Sequence, residues 1–296
     1  MSTPTTDILR ETPVAPPEKS SRSDKVVAGL SHTALTIWSI LIIVPLAWTL
    51  MSSFKTSKEI FASPFALPKH WNFDNYAHAW TTAGIGSFFL NTVIVVGCAL
   101  ILTMLLGSMC AYVLARFQFP GRMWIYYAML AGLTFPIFLA IVPLFFILKN
   151  FGILNSLPGL IITYTAFALP FTVFFLFAFF KSLPGSIGEA AELDGAGDWR
   201  TFFQVMLPMA KPGLATVTIL NFVGLWNQFL LPIALNTNVD DYVLTQGMAR
   251  FASQAGYSVD YGALNAAAII VIVPVLIVYL IFQRQLQGSV TQGAMK

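Results

Sequence analysis

The chain has 296 residues, 57% of them hydrophobic and only 10% charged, with a net charge of +3. A soluble domain carries roughly 25% charged residues. There is too little polar surface here to clothe a particle in water, so lipid is the expected solvent for most of the chain.

Residues 1–26 are polar and contain Pro4, Pro13, Pro16 and Pro17. They read as a disordered tail, not a cleavable signal, because the apolar run that follows is long enough to span and stay. A span needs roughly 20 apolar residues. Six runs qualify, at about 27–50, 88–115, 123–148, 158–180, 213–235 and 263–283, leaving a short tail at 286–296. The expected fold is therefore all-α and integral to the membrane, with six transmembrane helices. Every Asp, Glu and Lys lies outside these runs, as the cost of placing an ion in hydrocarbon demands. Pro45, Pro136, Pro143, Pro170, Pro232 and Pro274 fall inside them and are expected to kink or open the helices. Gly107 with Ala111, and Ala263 with Ala267, suit close helix contact. Cys98 and Cys110 lie twelve residues apart on one expected helix, where a disulfide is implausible.

Orientation follows from the basic residues. With six spans both termini share a side. That side collects Arg10, Lys19, Arg22, Lys25, Arg116, Arg122, Lys181, Arg200, Lys211, Arg284 and Lys296, while the other has only Lys55, Lys58, Lys69, Lys149 and Arg250. Both termini are expected in the cytoplasm, with residues 52–87 and 236–262 outside.

The apolar spans contain no acid, base or metal-ligand cluster. His32 begins the first span, and His70 and His78 lie in an outside loop without carboxylates or cysteines arranged around them. No catalytic residue and no metal site is expected. The phosphate loop G-x-x-x-x-G-K-[ST] is absent, as is a G-x-S-x-G nucleophile turn. An ion-coupled carrier would need intramembrane carboxylates or broken-helix ion sites. The spans read as a conduit whose energy comes from a partner.

The segment "EAAELDGAGDWRTFFQVMLP", Glu189–Pro208, gathers four acids between two very apolar runs. Ser186 and Glu189 have the spacing of a capping box. Gly195 and Gly197 predict a helix stop. Asp198 is placed to cap a second helix, about Trp199–Met206, that Pro208 helps to close. A surface helix meant for anionic lipid would be basic. This acidic one better suits a basic protein cleft.

The same segment resembles the EAA loop of ABC importer permeases, E-A-A-x-x-x-G-x(9)-I-x-L-P. It matches at Glu189, Ala190, Ala191, Gly195, Leu207 and Pro208 and has Val205 in place of Ile. "SFKTSKEIFASPFALPKHWNFDNYAHAW", "NTVIVV", "AYVLARFQFPGR", "ILNSLPGLII", "NFVGLWNQFLLP" and the tail "QGSVTQGAMK" are similar to the carbohydrate-importing, maltose-type branch. The resemblance covers about Ser52–Lys296 and implies the MetI-like permease fold in a multi-pass cell-membrane protein. It also implies a second homologous permease, two cytoplasmic ATPase subunits and an extracytoplasmic solute-binding protein as partners, surrounded by membrane lipid and without nucleic acid. ATP and Mg²⁺ would sit on the ATPases, and no cofactor on this chain. Glu189, Ala190, Ala191, Asp194, Gly195, Trp199, Phe203, Leu207 and Pro208 would then form the ATPase-coupling element. Gln287, Gly288, Thr291 and Gly293 would reach the ATPases through the tail. The outside loop, with Tyr242, Arg250 and Tyr257, would meet the binding protein. Asn221, Gly224 and Gln228 share one face of the fifth span and are candidates to line the pathway, with helix–helix hydrogen bonding the competing role. Many relatives carry Glu at the position of Gln228. A sugar is the expected cargo, with glycerol-phosphate and other solutes as alternatives within the family and a secondary carrier as the alternative outside it.

Overall fold

The computed structural model describes residues 22–253 and 260–294, with side chains over 26–253 and 260–283. The chain divides into two units, Met1–Trp48 and Thr49–Lys296. Most of α1 (Arg22–Ser52) belongs to the first. The hydroxyls of Thr33, Thr36 and Ser39 each donate to the carbonyl four residues back, so they enter lipid already satisfied. The disordered tail expected at 1–26 lies largely outside the described residues, and helix is already present at Arg22.

The second unit runs in order through α2 (Ser57–Ala62), α3 (Asp74–Thr81), α4 (Ile85–Arg116), α5 (Arg122–Thr134), α6 (Ile137–Asn150), α7 (Leu157–Ser182) and α8 (Gly185–Leu193). It continues with α9 (Asp198–Arg200), a π-helical turn (Thr201–Met206), α10 (Leu207–Met209), α11 (Lys211–Trp226), α12 (Leu230–Leu235), a 3-10 turn (Val239–Asp241), α13 (Leu244–Ser253) and α14 (Tyr261–Ala294). No strand occurs among the described residues.

The frame is the pair α4 and α7, which run parallel. At their starts, Val95, Val96 and Ala99 share a buried cluster with Leu160, Tyr164 and Ala168. At their ends, Ala111, Tyr112 and Leu114 share another with Val173, Leu176, Phe177 and Phe180. Between the clusters Gly107 faces Thr172, and a Cβ on Gly107 would come within 2.5 Å of the Thr172 methyl. The missing side chain is what lets the two helices approach. Ala111, Ala263 and Ala267 are also fully buried, as their small size suggested.

Because α4 and α7 are parallel, the chain must recross between them. The sequence predicted one helix at 123–148 for that crossing. The structure has two, α5 and α6, bent by 107° at Phe135–Pro136. Proline lacks the N–H and pushes the residue before it into extended backbone; Phe135 is accordingly extended, with ψ 120°. The fifth span, expected at 213–235 with Pro232 to kink or open it, is interrupted between Trp226 and Leu230. Pro232 cannot donate to the carbonyl of Gln228, and the hydroxyl of Thr245 donates to it instead at 2.8 Å. Cys98 and Cys110 are free thiols.

The last span, expected at 263–283, lies within the apolar stretch Tyr261–Gln283, but the helix that carries it does not end there. The helical backbone of α14 runs to Ala294, so the tail expected as a separate segment continues the helix. Gln287, Gly288, Thr291 and Gly293 lie on it, and their side chains are outside the described residues.

Candidate functional site

The charged segment forms a helical hairpin at the end of the bundle where α4 and α7 finish. Helix α8 starts at Gly185 with Pro184 as its cap and no capping side chain. The predicted Ser186–Glu189 capping box is therefore absent: the helix begins before Ser186, which leaves that residue no orphan amide to serve. Asp198 is not a cap either. Gly197 holds that position without a side-chain bond, and Asp198 is the first helical residue, where its charge favours the helix N-terminus. Gly195 does end α8, with φ +75° in the left-handed region that glycine enters without strain. The amides of Asp194, Gly195 and Ala196 return to the carbonyls of Ala190, Glu192 and Ala191. Pro208 does not close the second helix. Leu207 N–H donates to Phe202 C=O, five residues back, and the helical path continues to Met209 before bending by 76° into α11.

The hairpin turns one apolar face inward and another out. Phe202 and Met206 are buried; the Phe202 ring lies 5.1 Å from that of Tyr112, which also meets Phe180. Ala191 is buried, while Ala190 and Pro208 are exposed and Leu207 is half-buried. On the outer face Leu193 is 89% exposed, Trp199 67% and Phe203 42%. Trp199 and Phe203 stack at 6.0 Å with planes 11° apart. Glu189, Glu192, Asp194 and Asp198 of the same hairpin are all exposed, and none forms an ion pair among the described residues. Asp194 stands at the C-terminus of α8, where the helix dipole disfavours an anion. Exposed large apolar side chains on a segment that also bares four acids are the kind of surface that partner proteins cover. Trp199 and Phe203 are among the residues that the resemblance placed on this element. Leu193 was not singled out, although it stands between two of the acids in sequence. A pocket of about 400 Å³ opens here, lined by Tyr112, Phe117, Asp198, Trp199 and Phe202 among others.

The three pathway candidates come together. Asn221, Gly224 and Gln228 line one pocket of about 370 Å³ with Ile137, Phe167 and Phe171. Their roles differ. Asn221 is 6% exposed and its amide donates to Thr172 Oγ1 at 2.7 Å, which makes it a helix–helix bond. A Cβ on Gly224 would meet nothing within 4 Å. Gln228 is half-buried at the helix break. Trp226 points away, its Nε1 donating to the Val271 carbonyl.

The opposite end is more ordered than a plain connecting loop. Helix α13 seats Gly247 against Phe88, Leu244 N–H donates to Thr92 Oγ1, and Gln246 donates to the carbonyls of Pro232 and Asn236. Tyr242 and Arg250 line an open pocket of about 520 Å³ with Gln246 and Ser253; Tyr257 lies outside the described residues. His78 pairs with Asp260 at 2.8 Å, a link the sequence did not disclose across 182 positions. No group of three metal-ligand side chains occurs among the described residues.

Residues 103–292 match the family model "Binding-protein-dependent transport system inner membrane component". The chain is 66% identical over 277 residues to the diacetylchitobiose uptake system permease protein NgcG of Streptomyces coelicolor, covering 94% of this chain and 92% of that protein. It is 33% identical to the multiple sugar-binding transport system permease protein MsmG of Streptococcus mutans, over 93% and 99% of the two chains. The trehalose transport system permease protein SugB of Mycobacterium tuberculosis is 31% identical, over 88% and 97%. In fold it is similar to a chain of a bacterial ABC transporter involved in the import of the acidic polysaccharide alginate, with TM-score 0.77 and 22% identity over 90% of this chain and 98% of that one. Four helices long and apolar enough to cross a membrane, or six if each of the two bent pairs is one crossing, agree with a match spanning most of the chain: this protein belongs to the family of binding-protein-dependent transport system inner membrane components.

Proposed function

We propose that the chain is a permease subunit of an ABC importer that moves a neutral sugar or short oligosaccharide into the cell. The observation that carries this reading is the hairpin, with Leu193, Trp199 and Phe203 bared to solvent amid four exposed acids. That surface fits a basic, apolar-walled cleft on a cytoplasmic ATPase, one beneath this chain and one beneath a second permease. ATP and Mg²⁺ belong to those ATPases. Closure of the ATPase pair would favour one state of the gripped hairpins over the other, and that difference in binding is the work available to the permease. The hairpin end then faces the cytoplasm, and the α13 end faces outward toward a solute-binding protein.

The relatives support a carbohydrate cargo. The 66% identity to a permease named for diacetylchitobiose favours a short amino-sugar oligosaccharide. The pathway pocket agrees: its lining includes aromatic Phe167 and Phe171, the Gln228 amide and no charged residue. A sugar offers apolar faces and hydroxyls to such a surface. A glycerol-phosphate would need a cation there.

The test is reconstitution of the transporter purified through a tag on this chain. Glu189→Lys and Gly195→Asp should leave the permease inserted and abolish ATP-driven uptake. Wild-type uptake in both would defeat the proposal. For cargo, diacetylchitobiose should be retained by the cognate binding protein; retention of glycerol-phosphate alone would replace the sugar reading.

A further inference from the structure

One basic side chain stands at the junction of the hairpin and the bundle. Arg116, the last residue of α4, donates from Nη2 to the carbonyl of Leu183, just past the end of α7, at 2.8 Å. A cation placed on the last carbonyls of a helix is stabilised by its dipole. Only part of the guanidinium is used there. Nε is buried with no hydrogen-bond partner. Nη1 lies 4.0 Å from the position that a Cβ on Gly185 would occupy, and Glu189 Oε1 lies 4.0 Å from the same point. The two charged groups are therefore no more than twice that distance apart, across a gap that exists because residue 185 has no side chain. Gly185 and Glu189 are one turn apart on α8, so the gap and the carboxylate share a face. Around them, Tyr112 lies within electrostatic reach of Arg116, Asp198 and Glu192.

We propose that Arg116 is the positioning residue of the coupling hairpin. It pins the end of α7 to the end of α4 and offers its remaining N–H groups to Glu189 across the space over Gly185. Glu189 exchanges between this internal guanidinium and a basic group on the ATPase. When the ATPase holds Glu189, the hairpin is drawn as a unit with α4 and α7, because Arg116 is fixed to both helices and adjoins the first turn of α8. Arginine suits the task because its planar fork serves a carbonyl and a carboxylate at once, which a lysine cannot do in the same geometry. The inference rests on the coupling role proposed above for the hairpin.

The test uses the whole transporter in lipid, purified through this chain, with Cys98 and Cys110 replaced by Ala and Gly224→Cys as a thiol reporter in the pathway pocket. The measured quantity is the factor by which ATP changes the rate of Cys labelling, a readout independent of cargo. Arg116→Ala should cut that factor roughly tenfold while ATP hydrolysis and subunit composition persist. Gly185→Leu, which keeps both charges but fills the gap, should do the same, and Arg116→Lys should restore part of the effect. Combining Arg116→Ala with Glu189→Lys should cost no more than Glu189→Lys alone. If Glu189→Lys removes the ATP effect but Arg116→Ala and Gly185→Leu retain it, this inference is overturned and the coupling role stands. If Glu189→Lys also retains it, the coupling role itself falls. Loss of assembly in Arg116→Ala together with a wild-type response in Arg116→Lys and Gly185→Leu would assign Arg116 to structure alone and also overturn the inference.

Discussion

Gly224 and Asn221 show how the same helical face can hold opposite roles. Both line the pathway pocket, but the amide of Asn221 is committed to Thr172, whereas the space over Gly224 is empty. Gly224→Phe should therefore fold and assemble, project its ring into the pocket and lower uptake roughly tenfold or more, with ATP hydrolysis retained. Unimpaired uptake would move the pathway elsewhere. The shared face was legible from the i, i+3, i+7 spacing. The division of labour was not, because it depends on Thr172, 49 positions away. The same distinction runs through the hairpin. The stop at Gly195 follows from local chemistry, whereas Trp199 and Phe203 were marked out only by the resemblance, and their exposure depends on Phe202 taking the place against Tyr112. The absence of the Ser186 capping box does not follow from local chemistry, since α8 starts one residue before Ser186. Arg116 read as a residue past the end of a span; its engagement with Leu183, 67 positions on, is tertiary.

Among the elements, the apolar runs were legible because hydrocarbon thickness and the cost of buried charge leave few alternatives, and four of the six are single helices long enough to cross. The breaks were not legible. Pro45, Pro143, Pro170 and Pro274 sit inside continuous helices, whereas Pro136 and Pro232 accompany interruptions. What a proline does depends on who takes the carbonyl it frees, and that partner comes from elsewhere in the fold. For Pro232 the partner is Thr245, which reaches the Gln228 carbonyl from the first turn of α13. Thr245→Val keeps the shape and removes the donor. It should destabilise the protein by about 1–3 kcal/mol, the usual cost of an unsatisfied buried polar group, seen as a lowered Tm in detergent. Thr245→Ser should recover most of the loss. An unchanged Tm in Thr245→Val would mean that another group satisfies Gln228.

For the molecule as a whole, the hairpin and α13 occupy opposite ends of the bundle, and the orientation proposed above gives each a compartment. A membrane-impermeant maleimide added to intact cells should label Ser253→Cys and spare Leu193→Cys, in a background without Cys98 and Cys110. The reverse pattern would turn the molecule over and remove the hairpin from any cytoplasmic ATPase. Both sites are exposed, so accessibility within the chain does not confuse the result. The two buried clusters lie toward these two ends, and between them Gly107, Thr172 and Asn221 bring α4, α7 and α11 to one narrow polar crossing, with Met104 Sδ 3.9 Å from the Asn221 amide. That crossing has no spare room: even a methyl group at residue 107 would press on Thr172 and wedge the two long helices apart.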